Sequence, residues 1–296
     1  MIPHFRRLMR RRHEASGERR VGRVKAPPLQ ACRRCYTSAT MRFKDKAVIV
    51  TGASAGIGRA IASCFASEGA KVVLAARGKA DLEKAAKELE GAGAHVLAVA
   101  TDISSEAQVK SLFEQAVKRF GAVDVLVNNA ARVGRMGHFM EMPAEEWELA
   151  FKTNAMGTMF CSREALRVMQ PRKSGVIINI SSIASLSGFY PTMPYNQSKA
   201  AINNLTLDLA RIGAADGIRV NALALGPVYT ASMGRTVSRA LPGPSEKLWD
   251  WFGMAKPAGK PLSGEDVAGV VAFLASKEAR GVTGQIISMV TRIDDP

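Results

Sequence analysis

The chain has 296 residues, of which 47% are hydrophobic and 23% are charged. These are the proportions of a globular protein that is long enough to bury a large core. The formal net charge of +15 suggests nucleic-acid binding. However, residues 1–40 hold ten Arg and one Lys against two Glu, so they carry +9 and leave only +6 for the other 256 residues. The composition therefore argues against nucleic acid as the main partner of the folded part.

The cysteines and histidines do not form a metal-binding pattern. Cys32 and Cys35 make one C-x-x-C pair, with no second pair and no His at zinc-ligand spacing. Four scattered cysteines imply no disulfide framework, which fits a reducing compartment. No apolar run approaches the length of a membrane span. We therefore expect no metal, no membrane span and a cytoplasmic location.

Residues 1–40 are rich in Arg, contain Pro27-Pro28 and lack apolar periodicity, so we expect them to be disordered. They have the composition of a mitochondrial transit peptide, which would place the protein in mitochondria. They could also form a basic arm that binds nucleic acid or anionic lipid. In a third interpretation, translation starts at Met41. We favour the third, because the residues after Met41 lead directly into the first strand.

Strands and helices alternate from this point. Ala47 to Val50 is short and apolar, as a buried parallel strand should be. The next turn carries Gly52, Gly56 and Gly58 and leads into a helix that ends near Ser67. Such glycines let the backbone approach a diphosphate, which the N–H groups and dipole of a helix N-terminus attract. The turn, with Ser54 and Ile57, is therefore predicted to bind a dinucleotide.

The second strand, Val72 to Ala75, suggests which dinucleotide is bound. An acidic residue at the end of this strand binds the ribose 2′-hydroxyl of NAD, whereas an Arg accommodates the 2′-phosphate of NADP. This chain has Arg77 there and no acid. The sequence therefore predicts NADP, with NAD as the alternative; in the less specific interpretation, Arg77 is a solvated loop residue.

The alternation continues to residue 169. The predicted elements are helix Asp81–Glu90, strand His95–Ala100, helix Glu106–Phe120 with Ser104 as its N-cap, strand Asp124–Val127 and one long helix from Pro143 to Met169. Between the last two, residues 132–142 form a loop with Val133, Arg135, Met136 and His138 as candidate substrate contacts. Asn is mildly unfavourable inside a helix, so the presence of Asn154 there indicates a functional role. The alternation predicts a doubly wound α/β sheet with its ligand crevice at the carboxyl ends of the strands.

The next strand, Val176 to Ile180, places Ser182 at its end, and Tyr195 and Lys199 lie at the start of a helix that ends near Ala214. A spacing of four puts Tyr195 and Lys199 on one face of that helix. An ammonium group favours the phenolate, so we expect a lowered pKa for Tyr195 and a role as general acid or base. Taken alone, a Tyr-x-x-x-Lys pattern is most often a surface pair.

The ordered set of motifs resembles the short-chain dehydrogenase/reductase family from about Met41 to Gln285. The residues that carry the resemblance are Thr51 to Gly58, Asn128-Asn129-Ala130, Asn154, Ser182, Tyr195 and Lys199. The resemblance implies one Rossmann-type domain over residues 41–296, with a parallel seven-stranded sheet and a substrate lid at about 231–261. It also implies a homo-oligomer, either a dimer or a tetramer.

The resemblance further implies roles for individual residues. In catalysis, Tyr195 transfers a proton, Ser182 positions the substrate oxygen and Asn154 completes a proton relay through water. Tyr195 and Lys199 are also implied to contact the cofactor, Lys199 by bonding the nicotinamide ribose. Further cofactor contacts are implied at the adenosine half by Asp102, Ile103, Asn128 and Ala130, and at the carboxamide by Val228 and Thr230. The chain departs from the family pattern at Ala131, at Leu225 and after Gln285.

Together these features predict an NAD(P)-dependent oxidoreductase that transfers hydride between the cofactor and a ketone or secondary alcohol. Reduction of a 3-oxoacyl-carrier-protein is one substrate class, beside sugar, steroid or small-alcohol oxidation. The alternative is a non-catalytic nucleotide-binding module of the same fold. Intact Ser182, Tyr195 and Lys199 disfavour it, because such a module can lose these groups freely.

Overall fold

The computed structural model describes residues 41–188, 192–228, 230 and 262–290. All of them belong to one compact unit, Ser38–Pro296. The expectations for residues 1–40 and for a lid at 231–261 lie outside the described residues. Among those that are described, no helix is both long and apolar enough to cross a membrane.

Seven parallel strands form the central sheet in the order β3-β2-β1-β4-β5-β6-β7. The strands are β1 Ala47–Thr51, β2 Lys71–Ala76, β3 His95–Ala100, β4 Val125–Asn128, β5 Gly175–Ser182, β6 Ile218–Leu225 and β7 Ile286–Met289. The predicted seven-stranded, doubly wound parallel sheet is confirmed. The strand order reverses between β1 and β4, which is where such sheets bind their ligands.

Helices cover both faces of this sheet. In the described residues they are α1 Gly56–Ser67, α2 Lys79–Gly91, α3 Glu106–Phe120, α4 Ala144–Ala150, α5 Gly157–Met169, α6 Ala184–Ser187, α7 Met193–Ala214 and α8 Gly264–Ala275. Helix α8 packs on α1, whereas α3 packs on α5. Strand β1 is buried along its whole length, as expected when both faces of a parallel sheet are covered.

The apolar residues of α3 and α5 form the core on one face of the sheet. Leu112 and Phe113 of α3 pack with Cys161 and Met169 of α5 against Ile177 of β5. Burial raises the pKa of the Cys161 thiol to about 12, so this cysteine is an inert part of the core.

Two local predictions needed correction. The predicted helix over residues 143–169 is not uniform, because a π-helical segment, Phe151–Met156, separates α4 from α5. Such segments are rare and are frequent at functional sites. The N-cap of α3 is Ser105 rather than Ser104, since the Ser105 side chain accepts a hydrogen bond from the Gln108 backbone N–H. Ser104 donates instead to Asp102.

Parallel pairing brings the predicted site residues to one edge of the sheet. Thr51 is in register with Ala75, Asn128 with Asn179, and Ser182 with Leu225. The segments that follow β1, β2, β4 and β5 therefore all leave the sheet at its carboxyl edge.

Candidate active site

The turn after β1 requires glycine for its backbone. Gly52 and Gly56 have φ values of +67° and +56°, in the left-handed region that favours glycine. At Gly58 the reason is space, because a Cβ there would lie 2.3 Å from the carbonyl oxygen of Gly52. The chain can therefore turn sharply from β1 into α1 only with these glycines.

The N-terminus of α1 fits a bound diphosphate. Its N-cap residue, Ala55, has no side-chain acceptor for the first N–H groups, and the first turn contains no acidic residue. These donors and the positive end of the helix dipole suit an anion. Ser54 and Ile57 of the turn are half-buried. The residues present thus match the dinucleotide predicted from the sequence.

Hydrogen bonds join the glycine turn to the end of β4. The hydroxyl oxygen of Thr51 accepts from the backbone N–H groups of Asn129 (2.9 Å) and Ala130 (3.0 Å). The Asn129 side chain donates to the carbonyl oxygen of Thr51 at 2.9 Å. Ala130, a predicted adenosine contact, is therefore held beside the predicted diphosphate site.

Arg77 and Asp102 follow neighbouring strands. Arg77 is exposed just beyond the end of β2. Burial raises the pKa of Asp102, but hydrogen bonds from the backbone and hydroxyl of Ser104 outweigh this effect. The positive charge of Arg77 also lowers the Asp102 pKa, so the net shift is downward. Arg77 thus lies close enough to act electrostatically on the predicted adenine site.

The side chains of two predicted cofactor-binding residues are buried in the protein interior. Ile103 lies in the core, where a Cβ on Gly157 would come within 2.8 Å of its side chain. A cofactor contact of Ile103 would therefore have to come from its backbone. The Asn128 side chain is also buried, and its amide nitrogen donates to the side-chain oxygens of Ser162 and Asn179.

Thr230 lies next to the glycine turn although it is far away in sequence. A Cβ on Gly56 would be 3.7 Å from the Cβ of Thr230. Val228 is buried and pairs with Leu262 through an isolated parallel bridge. Thr230, one of the two predicted carboxamide contacts, thus lies beside the N-terminus of α1.

Ser182, Tyr195 and Lys199 form a cluster between β5 and α7. A side-chain hydrogen bond joins Tyr195 and Ser182. The Lys199 Nζ atom lies 5.7 Å from the centre of the Tyr195 ring. Tyr195 is half-buried, whereas Lys199 is only 2% exposed. The structure therefore brings the predicted hydroxyl, phenol and ammonium together.

The expected lowering of the Tyr195 pKa was wrong. Burial raises the pKa of Tyr195, and the bond with Ser182 only partly offsets it. Burial also lowers the pKa of Lys199 to about 8. The Lys199 ammonium donates to the carbonyl oxygen of Ile180 at 2.6 Å instead of pairing with the phenol. Desolvation, which disfavours both charged forms, thus outweighs the attraction between the two groups.

Asn154 lies in the π-helical segment and is completely buried. Its side-chain oxygen accepts from the backbone N–H of Arg132 at 2.7 Å, and its amide nitrogen donates to the Arg132 carbonyl oxygen at 2.9 Å. The same nitrogen donates to Ser198 Oγ at 2.9 Å, and Ser198 donates to the Tyr195 carbonyl oxygen. Asn154 therefore connects the loop after β4 to the first turn of α7.

The sequence analysis missed Arg132 and Ser198, both partners of Asn154. Neither belongs to a recognisable motif, and their bonds depend on how two distant segments meet.

Two of the candidate substrate contacts make local hydrogen bonds. The backbone N–H of Arg135 donates to Glu146, and the His138 side chain accepts from the backbone N–H of Met140. In the described part of the chain, no group of three or more His, Cys, Asp or Glu is arranged to hold a metal ion.

Comparison with known proteins identifies the family. Residues 52–290 match the family model described as Enoyl-(Acyl carrier protein) reductase. The chain is 34% identical over 272 residues to "Dehydrogenase/reductase SDR family member 4" of Bos taurus, covering 88% of this chain and 94% of that protein. It is 32% identical over 249 residues to the 3-oxoacyl-[acyl-carrier-protein] reductase FabG of Thermotoga maritima, covering 84% and 98%.

A solved structure agrees with these sequence relatives. The crystal structure of L-sorbose reductase from Gluconobacter frateurii, complexed with NADPH and L-sorbose, superposes with a TM-score of 0.80. The two chains are 31% identical, and the match covers 85% of this chain and 97% of the other. The glycine turn, the Ser182–Tyr195–Lys199 cluster and these matches agree: the chain belongs to the short-chain dehydrogenase/reductase family of NAD(P)-dependent oxidoreductases.

Proposed function

We propose that the protein transfers hydride between NADP and a ketone or secondary alcohol. The observation that carries this proposal is the cluster of Ser182, Tyr195 and Lys199 at the same sheet edge as the glycine turn. A phenol, a hydroxyl and a cation thus lie at the same sheet edge as the proposed dinucleotide site. The bound nicotinamide would supply the hydride chemistry, and the protein would supply orientation and electrostatics.

Tyr195 is the proton donor when a carbonyl is reduced. Its raised pKa keeps the phenol protonated at neutral pH, which suits donation to a developing alkoxide. Its hydrogen bond with Ser182 puts two hydroxyl groups where one substrate oxygen could contact both. Ser182 therefore orients the oxygen that Tyr195 protonates.

Lys199 links the cofactor site to the proton-transfer site. With a pKa of about 8, the ammonium is the main form at neutral pH and can donate to ribose hydroxyls. Asn154 then extends a proton relay from Lys199 through water, a role that its complete burial and bonds to two segments would support.

NADP is proposed over NAD because of Arg77 and the missing acidic residue after β2. The effect of the Arg77 charge on Asp102 supports this choice, since it indicates that the guanidinium is near the adenosine half of the site. The remaining cofactor contacts are proposed to come from the glycine turn, Asp102, the Ile103 backbone and the ends of β4 and β6.

The proposed reaction is compatible with more than one class of substrate. A 3-oxoacyl-carrier-protein is one candidate, supported by the similarity to a reductase of that substrate. A sugar is another, by similarity to L-sorbose reductase. A non-catalytic nucleotide-binding module would not need Ser182, Tyr195 and Lys199 to meet, so we place it second. A panel of carbonyls and alcohols, followed by nicotinamide absorbance, separates these candidates.

Replacing Tyr195 with Phe tests the proton donor. The ring and its packing remain, but the group that transfers the proton is lost, so turnover should fall by roughly two to four orders of magnitude. Cofactor affinity should be nearly unchanged, because the glycine turn and Asp102 are untouched. Steady-state kinetics and a fluorescence titration with NADPH measure the two effects. Unchanged turnover of Tyr195→Phe on a good substrate would contradict the role.

The pH dependence of cofactor binding tests Lys199. Because burial lowers the Lys199 pKa to about 8, the ammonium that binds ribose is lost as the pH rises through that value. The dissociation constant for NADPH should therefore be level just below pH 8 and rise above it. Lys199→Met should bind more weakly and show no such rise. A level titration of the parent protein across this range would disprove the assignment.

Arg77→Ala tests the preference for NADP. Loss of a charged hydrogen bond to the 2′-phosphate should weaken NADP binding by about 10-fold to 100-fold and leave NAD binding unchanged. Lys79→Ala is the matched control, because it removes another exposed cation close to the end of β2. Tighter binding of NAD than NADP by the parent protein would refute the preference.

A homo-oligomer is proposed from exposed apolar residues on neighbouring helices. Leu149 and Met156 are seven residues apart and are 43% and 46% exposed. Phe151, between them in the chain, is 37% exposed. Such exposed apolar surface is typical of subunit contacts. Light scattering should show a dimer or tetramer that dissociates in Leu149→Arg/Met156→Arg; a monomeric parent protein would exclude it.

A further inference from the structure

Arg132 lies in the loop where the chain leaves the carboxyl end of β4. Its Nη2 atom donates to both carboxylate oxygens of Glu146, at 2.8 and 2.9 Å. Glu146 is in the first turn of α4 and its side chain is 19% exposed. The pair therefore joins the loop after β4 to the helix that leads into the π-helical segment.

The Glu146 carboxylate also organises the rest of this loop. It accepts a hydrogen bond from the backbone N–H of Arg135 at 3.0 Å. Gly134 has a φ of +77°, and a Cβ there would lie 2.7 Å from Glu146 Oε2. The hydrogen bond from Arg135 has the largest effect on the Glu146 pKa and lowers it. Burial alone would raise this pKa, but the net shift is downward. The carboxylate thus stays ionised at neutral pH with the loop wrapped around it.

The backbone of Arg132 makes a second set of contacts, beside those of its side chain. Asn154 bonds both the N–H and the carbonyl oxygen of Arg132, and then continues to Ser198. Ser198 in turn bonds the carbonyl oxygen of Tyr195 at 2.7 Å. An unbroken series of contacts therefore runs from Glu146 through Arg132 and Asn154 to the proposed proton donor.

We propose that Arg132 is a positioning residue, which acts through its ion pair with Glu146 to hold Asn154 and the first turn of α7 in register. This inference rests on the proposed function. An exposed ion pair usually contributes little. Here, however, the carboxylate is mostly buried and shared with the Arg135 backbone, so losing the pair releases the whole loop. Small displacements of catalytic groups reduce turnover strongly.

The proposal predicts a loss of turnover without a loss of cofactor affinity. Arg132→Met and Glu146→Gln should each lower kcat by about 10-fold to 100-fold, while the dissociation constant for NADPH stays unchanged. Arg132→Lys should recover part of kcat, because it restores the charge without the guanidinium geometry. Glu145→Gln is the matched control, since Glu145 is an exposed acid in the same helical turn.

A double variant shows whether Arg132 acts through Asn154. If it does, Arg132→Met should cost little further kcat in an Asn154→Ala background, because residues that act as a unit share one loss. If the kcat losses of the two single variants multiply in full in the double variant, the proposal is overturned. So would an Arg132→Met variant whose kcat matches that of Glu145→Gln.

Hydrogen exchange provides a measurement that needs no substrate. The Arg132 amide, bonded to Asn154, should exchange faster in Arg132→Met and Glu146→Gln than in the parent protein or in Glu145→Gln. Unchanged exchange would refute the anchoring. If Arg132→Met fails to fold in a thermal unfolding assay, Glu146→Gln decides the question. A parent protein that turns over no carbonyl or alcohol would refute the proposed function, whereas the exchange result would still decide the anchoring.

Discussion

The parallel direction of all seven strands is the constraint on which the rest of this structure depends. Because every strand points the same way, the segments after β1, β2, β4 and β5 leave at a single edge. Residues as distant in sequence as Gly52 and Ser182 therefore share one crevice. The reversal of strand order between β1 and β4 opens that crevice, so hydride-transfer chemistry and dinucleotide binding can occur side by side.

Buried polar side chains link the strands and the helix that form the crevice. Asn128 donates to Asn179, and Asn179 donates to Thr206 on α7. All three side chains are almost completely buried, so leaving any of them unpaired would cost roughly 1–3 kcal/mol. These contacts tie β4, β5 and α7 to one another. They give the strand ends and α7 a defined relative position before any ligand binds.

Burial, more than charge pairing, sets the electrostatics of the proposed site. Desolvation raises the pKa of Tyr195 and lowers that of Lys199, so both neutral forms are favoured relative to water. A protonated phenol and an easily deprotonated amine are suited to passing a proton in sequence. Glu146 shows the opposite case, since hydrogen bonds from the Arg135 backbone and the Arg132 side chain outweigh burial and lower the pKa of that carboxylate.

The sequence by itself determined the doubly wound fold class and the residues of the glycine turn, because apolar periodicity and glycine chemistry are local properties, whereas the number of seven strands came from the family resemblance. It also identified Ser182, Tyr195 and Lys199 as a candidate site. Only the tertiary structure decided how these groups titrate, since a pKa depends on burial by distant segments. The π-helical turn at Asn154 and the bonds of Arg132 likewise arise only where separate segments meet, because their partners are far apart along the chain.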